Sequence, residues 1–264
     1  CKQHSVIEFQ SVYRISKDNQ SRQLVVFFCP KISLLTILTQ GLILKKSLYE
    51  RTKNMTDSLK TILCIGDSLT EGDYGSEPEG TANVHPEGYP YFLEKYLGVT
   101  AINAGKCGFT SLDYWKYTLK TLDLSTADAA VIMLGTNGGI TDTIEEDTSA
   151  SSYENYADTG TGRYCSIIEY LMDQKPDMPI FLCTCPYVDP SRRLRHANCV
   201  ADANAVIPKI AAKYHRPLLD VNQELGVSAF NTRIMQPVDG LHGSYRFYSK
   251  LGTYIGNRVR SLYN

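Results

Sequence analysis

Lys60-Thr61-Ile62-Leu63-Cys64-Ile65-Gly66-Asp67-Ser68-Leu69-Thr70-Glu71-Gly72 is an apolar run that ends abruptly in a small, polar turn. Its first half is short and rich in β-branched and large apolar side chains, the pattern of a strand buried on both faces of a parallel sheet. Gly66 breaks the run, and Ser68 follows just beyond it. Open α/β sheets bind their ligands in the crevice outside the carboxyl ends of the strands, so this position suits a nucleophile. Asp67, Ser68 and Thr70 are equally good helix-capping residues, which many strand-to-helix turns carry without any chemistry. The turn is not the Gly-x-Ser-x-Gly elbow of the α/β-hydrolases, because Thr70 stands where the second glycine would be.

Downstream, residues 73–88 mix Gly, Pro, Glu and Asn with Tyr74 and His85 and read as a loop walling a pocket beside Ser68. His85 is there a rival for a catalytic base. Apolar periodicity predicts a helix over 89–97, stopped by Gly98, and then a second strand over 99–103. Gly105 follows that strand; a glycine there lets the backbone approach a ligand and present its N–H, or simply makes a turn. A helix is expected over 110–119, and a third strand over 129–134 that ends in Gly135-Thr136-Asn137-Gly138-Gly139. Residues 140–162 are acidic and hydroxylated and read as a surface excursion.

The rest alternates in the same way: helix 163–172, strand 179–183, helix 202–214 with a kink expected at Pro208, strand 217–221, and a terminal helix from about 245 to 262. The alternation implies a parallel sheet of about five strands with helices on both faces, for which a flavodoxin-like order is the most economical. Between the last strand and the last helix lies Asp239-Gly240-Leu241-His242. Asp and His three apart in a tight turn can place a carboxylate on Nδ1 while Nε2 faces a hydroxyl, although ordinary surface turns share the spacing.

With 264 residues, 43% hydrophobic content and a formal charge of -1, the chain suits one sizeable α/β domain and has no bulk charge to attract nucleic acid. The eight cysteines are scattered, and Cys64, Cys183 and Cys185 fall in strand-like runs, so they read as reduced core thiols and point to a cytoplasmic protein, a membrane-anchored or secreted one being the alternative. Cys183-Thr184-Cys185 supplies too few ligands for a metal.

Residues 1–54 differ in character. They begin with Cys1 and contain an apolar run over 24–44, about the length of a membrane span but interrupted by Pro30, Lys31 and Gln40, with no small-residue cleavage site after it. They are expected to be an extension, non-native or poorly ordered, preceding a domain over 55–264, with a membrane anchor at 24–44 as the alternative.

Four blocks now stand in one order: Gly66-Asp67-Ser68-Leu69, Gly105 after Asn103-Ala104, Gly135-Thr136-Asn137, and Asp239-Gly240-Leu241-His242. In these the chain resembles the SGNH hydrolases, also called the GDSL esterase/lipase family, over about residues 58–264. The resemblance implies a three-layer α/β/α sandwich with no metal or organic cofactor. It implies Ser68 as nucleophile, His242 as general base, Asp239 as its orienting carboxylate, and an oxyanion hole from the Ser68 and Gly105 N–H groups and the Asn137 amide. His85 is then a pocket or surface histidine, since it lacks a carboxylate at the Asp-x-x-His spacing.

A serine esterase acting on small or short-chain carboxylic esters through an acyl-enzyme follows as the expected function. Asp73, Tyr74 and Glu77 beside Ser68 tilt the expectation toward polar acceptors, such as O-acetyl groups on sugars. A lipase or thioesterase for longer acyl chains would want more apolar surface there. The remaining alternative is a non-catalytic binding protein of the same fold, against which the intact Ser68, Asp239 and His242 argue.

Overall fold

Two faces of one sheet organise the molecule, and the side-chain alternation of its strands decides which helix lies on which. The structure is a computed structural model and describes residues 59–76, 81–141 and 152–263. The readings of residues 1–54, of Glu77 and of the acidic residues 142–151 fall outside these. The described residues belong to one unit of the chain, Ser47–Asn264. Strands β1 (Thr61–Gly66), β2 (Thr100–Gly105), β3 (Ala129–Met133), β4 (Ile180–Cys183) and β5 (Leu218–Leu219) pair in the order β2-β1-β3-β4-β5. Every pairing is parallel, and the order is the flavodoxin-like one expected from the sequence.

Successive residues of a strand point to opposite faces. Leu63 and Ile65 of β1, with Ala130 and Ile132 of β3, therefore pack toward helices α3 (Ser111–Tyr117), α4 (Gly160–Gln174) and α5 (Leu194–Lys213). Ile62 and Cys64, with Val131 and Met133, pack on the other face against α2 (Tyr89–Leu97) and the terminal helix, Tyr245–Leu262. β1, β3 and β4 are buried almost throughout, whereas β2 at the edge exposes its first half. This three-layer arrangement is the one the sequence resemblance implied.

The remaining short helices are α1 (Ser68–Glu71), α6 (Val221–Glu224) and α7 (Thr232–Met235), and the terminal helix is α8. In α8, Phe247, Leu251, Ile255 and Val259 recur every four residues and are fully buried. Each such side chain contributes about 1.5–3 kcal/mol of burial. Gly252 lies on the same stripe where α8 crosses α2. A Cβ there would stand 2.6 Å from Tyr89 O and 2.8 Å from Leu93 N, so the two helices pack backbone to backbone.

Among the boundaries that differ from the sequence expectation, three stand out. β2 continues to Gly105 because its last residues pair in register with β1 up to Gly66. β5 is only two residues long, since β4 offers it just Leu182 and Cys183 as partners. Helix α5 starts at Leu194 and runs through Pro208 to Lys213, two turns earlier than its apolar periodicity shows. Its fully buried residues begin at Val200, with Ala197 packed partly against the core, so its first turns lie largely outside the core, toward the carboxyl ends of the strands. Among the described residues, no helix is long and apolar enough to cross a membrane.

Candidate active site

Gly66 is the last residue of β1 and is flanked on both sides, pairing with Gly105 of β2 and Met133 of β3. A Cβ on it would fall 1.9 Å from Thr70 Oγ1 and 2.7 Å from Met133 O, so only glycine lets the chain fold straight back into α1. Asp67 caps that helix, its Oδ1 accepting from the Leu69 N–H at 3.0 Å, and Ser68 becomes the first helical residue. Asp67 Oδ2 is buried without a hydrogen-bond partner. Burial pushes the Asp67 carboxyl up to about 6, against the smaller opposing effects of the Leu69 N–H, Thr136 and His242.

From the far end of the sequence, the loop before α8 brings Asp239 and His242 to the same place. His242 Nδ1 lies 2.7 Å from Asp239 Oδ2, and His242 Nε2 lies 3.0 Å from Ser68 Oγ. A carboxylate can only accept, so Nδ1 carries the proton and Nε2 is free to accept from the serine hydroxyl. Asp239 Oδ1 in turn accepts from the N–H groups of Leu241 at 3.0 Å and His242 at 2.8 Å. Burial works to raise the Asp239 pKa, but the hydrogen bonds and charge of His242 outweigh it and hold the carboxyl well below the usual range. The aspartate is thus an anion throughout the neutral range, as an orienting group must be.

Ser68 and this pair open onto a cavity of about 290 Å³. The loop after α1 supplies one wall, with Asp73, Ser76, Thr81 and Ala82. Cys107, Gly108 and Asn137, from the loops after β2 and β3, form the second, and Arg193 and His196 at the start of α5 form the third. Asp73 Oδ2 is 3.7 Å from His242 Nε2, while its Oδ1 accepts from the N–H groups of Gly75 and Asn83 and so shapes its own loop. Burial lowers the pKa of His196, aided by the charges of Arg195 and Arg193. Among the described residues of the lining, Leu241 is the one large apolar side chain.

The structure brings Ser68, Asp239, His242 and Asn137 together but does not bring Gly105 with them. Gly105 is buried inside the sheet, its N–H donates to Asn103 Oδ1 at 3.0 Å, and a Cβ there would strike Glu71 N at 2.2 Å. Its role is close packing of β2 on α1. Gly108, three residues on, lines the cavity instead, with φ 76° and open space around it. Asn137 Nδ2 donates one hydrogen to Phe109 O at 3.0 Å, which ties the two loops together. A second glycine in Gly105-Lys106-Cys107-Gly108 was the available signal for this position, but choosing between the two needs the strand end. Arg193 and His196 were also missed, because their helical turns carry no apolar pattern. His85 is exposed, packs its ring on Tyr74 at 4.6 Å and is not part of the lining. Among the described residues, no group of three or more His, Cys, Asp or Glu side chains is arranged to hold a metal ion.

The sheet order, the flanking layers and their solved relatives make this an SGNH-hydrolase fold. The chain belongs to the GDSL-like lipase/acylhydrolase family, whose model matches residues 64–249, and is accordingly a carboxylic ester hydrolase. Among solved structures it is similar to a lipase/acylhydrolase from Enterococcus faecalis, with 22% identity, a TM-score of 0.56, and 77% of this chain and 96% of that one covered. It is also similar to a carbohydrate acetylesterase from Sinorhizobium meliloti (18% identity, TM-score 0.55, 77% and 99% covered). A third is an aryl esterase from M. smegmatis (20% identity, TM-score 0.54, 77% and 99% covered). No curated protein sequence matches the chain.

Proposed function

We propose that this hydrolase acts on small, short-chain carboxylic esters of polar alcohols, O-acetylated sugars being the class that fits best, through an acyl-enzyme on Ser68. The observation that carries the substrate reading is the cavity itself, about 290 Å³, with polar side chains on each of its three walls and Leu241 the single large apolar side chain among the described lining residues. Leu241 offers an acetyl group one large apolar neighbour, whereas a long acyl chain would find no further large apolar side chain among the described lining residues. The hydroxyls of an alcohol such as a sugar would meet Asp73, Ser76, Thr81, Arg193 and His196 as hydrogen-bond partners.

The chemistry follows from the contacts. Nε2 of His242 takes the Ser68 proton as Oγ attacks the acyl carbon, and Asp239 stabilises the imidazolium that forms. The tetrahedral oxyanion is met by the Ser68 and Gly108 N–H groups and the second Nδ2 hydrogen of Asn137. His242 then protonates the leaving alkoxide. A water deprotonated by the same nitrogen attacks the acyl-enzyme, and as the acyl–Oγ bond breaks His242 returns that proton to Ser68 Oγ and the acid leaves.

The test is an active-site label. An alkyl phosphonate with a 4-nitrophenyl leaving group should add once, on the peptide that contains Ser68, and abolish release of 4-nitrophenol from its acetate. A label on another residue, or an unlabelled protein that still hydrolyses the ester, would refute the assignment.

A further inference from the structure

The loop that carries Asp239 and His242 is held along its length by one neighbouring segment, residues 189–193. The Asp189 N–H donates to Gly240 O at 2.9 Å. Gly240 has φ 75°, and a Cβ there would press to 2.9 Å from Asp189 Cβ and 3.1 Å from Arg192 Cβ, so the side chains of this segment pack directly on the Gly240 backbone. The Arg192 guanidinium then donates to three successive carbonyls leading into Asp239, those of Gln236, Pro237 and Val238. Arg193 completes the contact, its Nη2 donating to Asp239 Oδ2 at 2.9 Å.

That oxygen is the one already bonded to His242 Nδ1 at 2.7 Å. With Oδ1 taken by the N–H groups of Leu241 and His242, the Asp239 carboxylate has four donors and no freedom to rotate. Both members of the Arg193–Asp239 pair are shielded, the side chains being 11% and 4% exposed, so water screens their interaction little. We propose that residues 189–193 form the positioning element of the catalytic loop, with Arg193 the positioning residue that fixes the carboxylate against His242.

A positive charge on the oxygen that supports the imidazole also has a chemical effect. It draws on the same lone pairs that would stabilise the imidazolium and repels that cation directly. Other charged or titratable groups face the ring: Asp67 and Asp73 from the first block, Cys107 after β2, and His196 with Arg195 beside it on α5. Cys107 Sγ contacts Asp73 Oδ2, the oxygen 3.7 Å from His242 Nε2, whereas Arg193 puts a positive charge on the oxygen bonded to His242 Nδ1. Loss of Arg193 should move the acid limb of the pH–rate profile, which a merely structural role would not produce.

The inference rests on the serine-histidine reading given above. Its test is the pH dependence of kcat/KM for 4-nitrophenyl acetate in Arg193→Met, Arg193→Gln and Arg193→Lys. Met and Gln should lower kcat about tenfold with KM within about twofold, and move the acid limb to higher pH by about one unit; Lys should keep the wild-type limb. The shift should persist in a His196→Gln background, which removes the neighbouring imidazole. If Met does not fold, Gln against Lys makes the same comparison. Limbs that coincide with wild type in folded Met or Gln variants, or a Lys limb displaced as far as theirs, would overturn the proposal. An active Ser68→Ala would overturn the catalytic reading and this proposal with it, whereas an inactive Ser68→Ala with an unmoved limb would overturn this proposal alone.

Discussion

Ser68 Oγ and His242 Nε2 lie 3.0 Å apart although 174 positions separate them in the chain. One residue leaves the carboxyl end of β1, the other precedes α8, and the contact exists because β1 lies inside the sheet and α8 packs on the sheet face beside it. If the two act as one unit, Ser68→Ala and His242→Ala should each remove most turnover, and the double variant should be little worse than either. His85→Ala serves as the contrast and should leave kcat within about threefold, because its ring packs on Tyr74 away from the cavity. Initial rates on 4-nitrophenyl acetate decide both.

Asn137→Ala should lower kcat by about 100-fold while KM changes much less. The amide is needed once negative charge develops on the acyl oxygen, and its other hydrogen stays on Phe109 O in the resting protein. A rise in KM with kcat intact would instead make Asn137 a ground-state binding group.

Chain length should count against activity. With Leu241 the single large apolar side chain among the described lining residues, kcat/KM should drop about tenfold or more from the butyryl to the octanoyl 4-nitrophenyl ester. A profile that rises toward octanoyl would favour a lipase-like role. Release of acetate from acetylated sugars, measured beside the simple esters, checks the polar-alcohol half of the reading.

Asp67 gives a stability signature with a definite sign. Its carboxyl is pushed up to about 6 in the folded protein, so the folded state binds the proton more tightly than the unfolded chain does. Stability from this group is therefore fully present below about pH 4 and declines as pH rises through about 6, by on the order of 3 kcal/mol. Asp67→Asn keeps the side-chain oxygen that caps Leu69 and should flatten that part of the curve. Denaturant unfolding at several pH values compares the two; parallel wild-type and variant curves between about pH 4 and 6 would contradict the assignment.

Gly252→Ala should destabilise the domain by about 1–3 kcal/mol, because the added methyl meets backbone atoms of α2 that cannot step aside. A thermal midpoint equal to wild type would mean that α2 and α8 separate easily. Gly98→Ala tests a different cost, since space is open there and only the φ of 72° opposes a side chain.

What the sequence determined by itself is local and periodic. Runs such as Thr61 to Ile65 and Ala129 to Met133 are legible because burial on both faces demands unbroken apolar character, and α8 because its stripe repeats every four residues. The Asp239 and His242 spacing and the serine after Gly66 are legible for the same reason: each is a short-range pattern with a short-range geometric meaning. Only the tertiary structure separates Gly105 from Gly108. The end of β2 is set by hydrogen bonding to β1 up to Gly66, a contact between strands that no local pattern records. Arg193 lay beyond reach in the same way, as two helical turns outside the core need no apolar periodicity. Its place on Asp239 is fixed by the packing of residues 189–193 on a loop 46 positions later in the chain.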